Sequence, residues 1–416
     1  MVLSLFARDF GSTQLQSIID DTYTAENFRY VRAGGDPSKI VNLYKLWRNL
    51  YLAELTAGPT LAFKDVALQL LAPIVAKILN GARFRILGGT SGDTGPAAIA
   101  AFMPYLNIDV FMMSGGAGMS PLQRAQMDSV QSENVHNIRL PNFDMTQDLF
   151  KAVFAHPDFV AEYHIGAVNS VNLVRILAQV VYTFWSYLQV ATSPGEIIDF
   201  VVPSGNFGNA FNVYMAKLMG LPVGRIIIAT NENDVLHRFF ETGVYERAQQ
   251  VTPTTSPSMD IQVASNLERA IFYALGENAD RVRELYAEFK RTNRFELTPA
   301  ELKLVQDAGF LSAVCTEDQG KETIRRVFAE TGYIIDPHTA VGVTVAGRFE
   351  MSGRKTVVYE TASPLKFADL VTEVTGEVLD FPPKSRAMLA APQRVDVFET
   401  LSAEELMQYI RDRARL

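Results

Sequence analysis

Three stretches of the chain carry residue types in spacings that could do chemistry. The first, Gly58-Pro59-Thr60-Leu61-Ala62-Phe63-Lys64-Asp65, places a lysine among apolar residues straight after a Gly-Pro turn. Burial of a lysine removes hydration from its ammonium, lowers its pKa and leaves a nucleophilic amine suited to a Schiff base with an aldehyde. A lysine that snorkels to water from a helix start has equal weight on this local sequence. The second and third stretches are the glycine-rich turns Gly88-Gly89-Thr90-Ser91-Gly92-Asp93-Thr94-Gly95-Pro96 and Pro203-Ser204-Gly205-Asn206-Phe207-Gly208-Asn209. Each follows an apolar strand candidate and opens a helix, which makes an anion cradle of free backbone N–H groups backed by the helix dipole. The first is neither a Walker loop, since no Gly-Lys-Ser/Thr follows, nor a proper dinucleotide fingerprint. Asn172 and Arg175 stand three apart, on one helical face, where an amide and a guanidinium suit a phosphate oxygen. A surface arginine on a buried helix is the alternative.

The elements that must hold these residues are readable from periodicity. Lys64 opens a helical pattern with apolar residues at Val66, Ala67, Leu70, Leu71, Ile74, Val75, Ile78 and Leu79. Asp65 falls in its first turn, where the dipole favours a carboxylate, and Pro73 is expected to kink or restart it. Strands are expected at Arg83–Leu87, Ile108–Met113, Val135–Leu140, Ile197–Val202, Arg225–Thr230 and Thr356–Tyr359. Alternation of these with helices indicates an α/β protein. Residues 1–50 read as helical, with Ile18, Ile19, Tyr23 and Phe28 on one face and Ile40, Leu43, Trp47 and Leu50 on another. Residues 266–333 read as helical pairs packed on a core.

At 416 residues the chain is long enough for two or three packed lobes. Its formal charge of -8 offers no electrostatic footprint for nucleic acid. One cysteine, Cys315, excludes an intramolecular disulfide and a cysteine-cluster metal site, and the five histidines show no metal-ligand spacing. The N-terminal run MVLSLFARDF is too short for a signal peptide. Ile176–Val190, the most apolar long stretch, is shorter than a membrane span and reads as a buried helix. No membrane or nucleic-acid partner, no metal and a cytoplasmic location are therefore expected.

Taken in order, the stretches resemble the threonine synthase family of pyridoxal-phosphate enzymes. Gly58 to Gln69, GPTLAFKDVALQ, resembles that family's lysine segment, and Thr90 to Gly95, TSGDTG, its substrate-carboxylate loop. Ser120, Pro121 and Gln123 keep an SPxxQ pattern, Asn169 to Gln179 resembles NSINWARILAQ, and Pro203 to Asn209 resembles the cofactor-phosphate loop. Asp336–Gly342, Thr255–Ile261 and Glu360–Phe367 are also family-like. The resemblance covers Leu50 to Phe367. It implies the tryptophan-synthase β-like fold (pyridoxal-phosphate fold type II), with two open α/β lobes and the cofactor in the cleft. A small mobile lobe of residues 83–195 would close on a large lobe of residues 1–82 and 196–416, in which 1–50 is a shortened N-terminal helical segment. The family's leading segment is longer, so the chain is expected to begin part-way into it.

By the same resemblance, Lys64 carries pyridoxal 5'-phosphate and acts as the catalytic base. Asp93 would sit near the cofactor ring, Gly205, Asn206, Phe207, Gly208 and Asn209 would hold its phosphate, and Thr361 would face the pyridine nitrogen. Thr90, Ser91 and Thr94 would hold the substrate carboxylate. Ser120, Asn172, Arg175 and Lys366 would meet the rest of the substrate, with a solvated surface lysine equally open for Lys366. The implied reaction turns O-phospho-L-homoserine and water into L-threonine and phosphate, in a monomer or homodimer that serves amino-acid biosynthesis. Three positions depart from the family: Thr56-Ala57 replaces a usual Phe-His, Gly118-Met119 lacks a basic residue, and Ser363 replaces a histidine. They open two further readings. One is a paralogue performing elimination or β/γ-replacement on another amino acid, and the other a cofactor-binding regulatory protein with little turnover. They also lead to the expectation that phosphohomoserine is used poorly.

Overall fold

The computed structural model describes residues 10–116, 118–170, 172–349 and 353–414. Ala117, Val171 of the family-like stretch Asn169 to Gln179, and the N-terminal apolar run up to Asp9 lie outside the described residues.

The strands are β1 (Asn42–Trp47), β2 (Leu50–Glu54), β3 (Phe84–Thr90), β4 (Ile108–Gly115), β5 (Val135–Leu140), β6 (Ile165–Ala167), β7 (Ile198–Pro203), β8 (Val223–Thr230), β9 (Val244–Glu246), β10 (Arg294–Glu296), β11 (Phe310–Val314), β12 (Thr356–Glu360) and β13 (Asp396–Val397). They build a six-stranded sheet in the order β1-β2-β12-β7-β8-β11, a five-stranded sheet in the order β13-β5-β4-β3-β6, and the small pair β10-β9. The five-stranded sheet is parallel throughout, and the six-stranded one is parallel except for the β1–β2 hairpin. Parallel strands are covered by helices on both faces, so they read as unbroken apolar runs. Val110–Met113, Phe200–Val202 and Ile226–Ala229 are completely buried in this way.

The strands expected from periodicity are all present, to within a few residues at their ends. Residues 40–50 differ from expectation. They form β1 and the start of β2, and the only helix among the described residues of 1–50 is Ser12–Thr22. A hairpin with one buried strand has no clean period, so an apolar run of this length fits either type. The segment 266–333 likewise holds β10 and β11 among its helices. The helix Lys64–Leu79 runs unbroken through Pro73. The helix Leu173–Val190 is apolar on its inner face but leaves Val181, Trp185 and Leu188 exposed, and no described helix is long and apolar enough to cross a membrane.

The chain passes between the sheets more than once. β13 pairs with β5, and the helix Ala403–Arg413 buries Leu406, Met407, Tyr409 and Ile410 in one cluster with Leu87, Phe111, Met113 and Ile138. The C-terminal segment thus packs on the five-stranded sheet, although a division by sequence at residue 196 puts it with the six-stranded one. The helix Lys64–Leu79 packs its Leu68, Leu71 and Ala72 against the helix Thr94–Phe102 beneath the same five-stranded sheet.

Candidate active site

Lys64 owes its position to the loop before it. Leu61 adopts a left-handed backbone at φ 63°, and the Asp65 carboxylate folds back to accept the Thr60 N–H at 2.8 Å and the Thr60 hydroxyl at 2.6 Å. Asp65 is therefore a loop clasp as well as a first-turn acid. Its burial raises its pKa, against the lowering effect of the Thr60 donors. A Cβ on Gly58 would lie 2.4 Å from Asp65 Cβ, so the turn needs glycine. The Phe63 N–H donates to the Thr361 carbonyl at 3.0 Å, the Ser363 N–H to the Leu61 carbonyl at 3.0 Å, and the Gln126 amide to the Thr60 carbonyl at 3.1 Å. The lysine loop is thereby pinned to the segment after β12 and to the helix Pro121–Asp128.

Asp93, at the head of the helix Thr94–Phe102, is the hub of the cleft. Its Oδ1 takes the Lys366 ammonium at 2.6 Å and the Gln123 amide at 2.8 Å. Its Oδ2 lies 3.4 Å from Lys64 Nζ and 3.4 Å from the Ser258 hydroxyl. Burial would raise the Asp93 pKa, but Lys366 and Lys64 outweigh it and hold the carboxyl well below its usual range. Lys64 moves the other way from its ordinary value. Burial pushes it down, and so do the charges of Lys366 and Arg175, while Asp93 pulls it up.

Arg175 is 3 % exposed, and burial pushes its guanidinium down to about 10. Its Nε and Nη1 have no hydrogen-bond partner among the described residues. A buried donor without an acceptor costs free energy, and a bound anion would relieve that cost. Asn172 caps the same helix, its side chain accepting the Val174 and Arg175 N–H groups at 3.0 and 3.4 Å.

The turn at Gly205–Asn209 is held just as closely. Phe207 sits at φ 63° ahead of the helix Gly208–Leu218. The Asn206 carbonyl accepts the Asn266 N–H and side-chain amide, both at 3.1 Å. A Cβ on Gly205 would come within 2.6 Å of the Ser258 carbonyl oxygen. Ser204 Oγ and Asn209 Nδ2 are buried without partners among the described residues. Those two orphans beside a helix N-terminus fit a phosphate, and the buried Lys64 amine fits an aldehyde. The residues present therefore suit pyridoxal phosphate.

Several of the expected site residues do other work here. The Thr90 hydroxyl accepts the Gly92 and Gly95 N–H groups at 3.1 and 3.0 Å and donates to the Gly92 carbonyl at 3.0 Å, so it shapes the loop. Ser91 and Thr94 are half-buried at the start of the following helix. Ser120 caps the helix Pro121–Asp128 in a reciprocal box with Gln123. Lys366 is 2 % exposed and paired to Asp93, so it is no solvated surface lysine. Ser363 caps the short turn Pro364–Phe367, and Met119 is buried in the core beneath the five-stranded sheet.

Four residues of the hub escape a linear reading. Gln123 uses its carbonyl for the cap and its amide for Asp93. The Ser-x-x-Gln capping-box signature was the signal for it. His338 Nδ1 lies 2.7 Å from Asp336 Oδ2, and its Nε2 accepts the Ser258 N–H at 3.1 Å. A backbone N–H can only donate, so the imidazole proton sits on Nδ1. Ser258 in turn lies against both cradles, since it also approaches the notional Cβ of Gly92 at 3.5 Å.

Two open, mainly parallel sheets with a buried lysine and two glycine turns at helix starts fit a pyridoxal-phosphate enzyme of fold type II, and the family model "Pyridoxal-phosphate dependent enzyme" matches residues 38–288. A second model, "Threonine synthase, C-terminal", matches residues 339–410. The chain is 41 % identical over 415 residues to threonine synthase of Methylobacillus glycogenes, covering 98 % of this chain and 87 % of that one. It is 40 % identical over 419 residues to threonine synthase of Corynebacterium glutamicum, with 99 % and 85 % covered. The crystal structure of pyridoxal-phosphate-bound threonine synthase from Brucella melitensis superposes with a TM-score of 0.91 at 36 % identity, covering 100 % of this chain and 88 % of that one. The chain belongs to the threonine synthase family.

Proposed function

We propose that the chain converts O-phospho-L-homoserine and water into L-threonine and phosphate, with pyridoxal phosphate in the cleft between the sheets. The observation that carries this reading is Arg175. It is a buried guanidinium whose Nε and Nη1 have no partner among the described residues, in electrostatic reach of Lys64. A substrate phosphate satisfies it. The Gly205–Asn209 amides, with Ser204 and Asn209, would take the cofactor phosphate, and Thr361 would face the pyridine nitrogen. Ser91 and Thr94 would hold the substrate carboxylate at the helix start. Bound there, the cofactor supplies an electron sink for a carbanion at the substrate α-carbon. Lys64 Nζ would take the α-proton as general base. Loss of a β-proton would accompany departure of phosphate from the γ-carbon; water would then add its oxygen at the β-carbon, with protons returned to the α- and γ-carbons.

Lys366 is engaged by Asp93 and Ser363 by its own turn. Arg175 therefore carries the phosphate alone among the cations expected for it. We place residues 83–195 in the smaller, moving lobe, joined by the β13 segment, and the enzyme in the cytoplasm as a monomer or homodimer. Steady-state kinetics with phosphohomoserine test the reading. Threonine as the main product with a specificity constant of about 10⁴ M⁻¹s⁻¹ or above supports it. Release of 2-oxobutyrate favours the paralogue, and absence of turnover with any amino acid favours the regulatory protein.

A further inference from the structure

We propose that Lys366 is a positioning residue that keeps the Lys64 amine unprotonated, by holding the carboxylate the two lysines share with its own charge. This rests on the reading of Lys64 as the cofactor-bearing amine.

Lys366 Nζ stands 2.6 Å from one oxygen of Asp93, and Lys64 Nζ stands 3.4 Å from the other. Among the described residues, Asp93 is the carboxylate in contact with both lysines. It pairs closely with one ammonium only, and the buried Arg175 guanidinium disfavours a second positive charge. The lysine with the weaker contact therefore releases its proton first. Lys366 makes the shorter contact and has a fully buried side chain, so it keeps the charge, and Lys64 becomes the free amine.

The other neighbours do not upset the balance. Gln123 and Ser258 reach Asp93 as neutral donors. His338 near Asp93 accepts the Ser258 N–H on Nε2 and so carries no second proton. Asp65 and Asp336 are further buried carboxylates, but neither forms an ion pair with Lys64 or Lys366: Asp65 accepts from Thr60, and Asp336 from Thr339 and His338. Both lysines sit on segments tied together by the Ala62–Ala362 bridge, which fixes the two amines relative to each other. The net downward shift of Lys64 agrees in direction.

The test uses the full chain without cofactor. Trace acetylation followed by mass spectrometry gives the labelling rate of Lys64 against pH. In Lys366→Met, Asp93 is left to Lys64 alone. The Lys64 midpoint should rise by about one pH unit or more, and its labelling at neutral pH should fall roughly tenfold or more. Lys366→Arg keeps the charge and should keep the wild-type midpoint. Asp93→Asn should move the midpoint down. A purely structural salt bridge would leave the midpoint in place. An unchanged midpoint in folded Lys366→Met overturns the proposal. Should that variant fail to fold, a rise in Asp93→Asn overturns it instead. Borohydride trapping of added pyridoxal phosphate on wild type tests the underlying assignment separately. Capture on another lysine would sink that assignment and leave the labelling result standing.

Discussion

Replacing Arg175 with methionine should lower activity and leave the cofactor-free protein at least as stable. The usual arginine in a folded protein is paired, and removing it strands its partner. Arg175 Nε and Nη1 have no described partner, so nothing is stranded. Each unsatisfied buried donor costs about 1–3 kcal/mol, and a methionine of similar length removes that cost while keeping apolar contact along the helix Leu173–Val190. The melting temperature of Arg175→Met without substrate should equal or exceed that of wild type. Catalysis should respond in the opposite sense. One charge-assisted hydrogen bond to a phosphate is worth about 1.5–3 kcal/mol, or roughly ten- to a hundredfold in kcat/KM. Loss of both free N–H groups predicts roughly a hundred- to ten-thousandfold. Calorimetry on the cofactor-free protein and steady-state kinetics with phosphohomoserine give the two numbers. A variant that melts well below wild type yet keeps its kcat/KM would show that Arg175 is a structural residue with no part in binding phosphate.

Lys64→Ala should lose both turnover and the borohydride-trapped adduct, read by peptide mapping. Gly205→Ala should weaken cofactor retention, because its Cβ meets the Ser258 carbonyl at 2.6 Å and that backbone must move; equilibrium dialysis of pyridoxal phosphate with a circular dichroism control reads it. The Lys64 amine also sets a pH dependence. Its folded pKa is lowered from 10.5, so between the two values the unfolded chain binds more protons and stability rises with pH. Urea titrations of cofactor-free wild type should therefore gain on Lys64→Met as pH rises towards 10.5. Cys315 is buried, with its thiol pushed up by burial. Its alkylation in the native protein should run far slower than in urea, as followed by mass spectrometry.

Much of the site was legible because its parts are local. A glycine turn between a strand and a helix is readable in a handful of residues, and both such turns lie between the expected strand and helix. The apolar parallel strands were equally plain. What escaped is relational. Ser120 and Asn172 carry side chains that suit either a ligand or a helix cap, and only the fold shows that both are caps. Lys366 reads equally as a substrate-facing or a solvated lysine until the chain folds back and sets it 2.6 Å from Asp93. Asp336 and His338 are near neighbours in sequence, yet their purpose depends on Ser258, 80 residues away. β13 is a strand of two exposed residues with no periodicity to detect.

That last strand bears on how the protein is made. A chain emerging from the ribosome completes β3, β4, β5 and β6 within its first 167 residues. Yet Leu87, Phe111, Met113 and Ile138 are capped by residues 406–410, and the β5 edge is paired at 396–397. Until those residues are synthesised, the early sheet presents an apolar face and part of a bare edge, the features that invite aggregation. At about 5–20 residues per second that exposure lasts on the order of ten seconds or more. The nascent chain is thus a natural client for chaperones during this interval, and the order of synthesis leaves the sheet bearing the Asp93 loop to be sealed last.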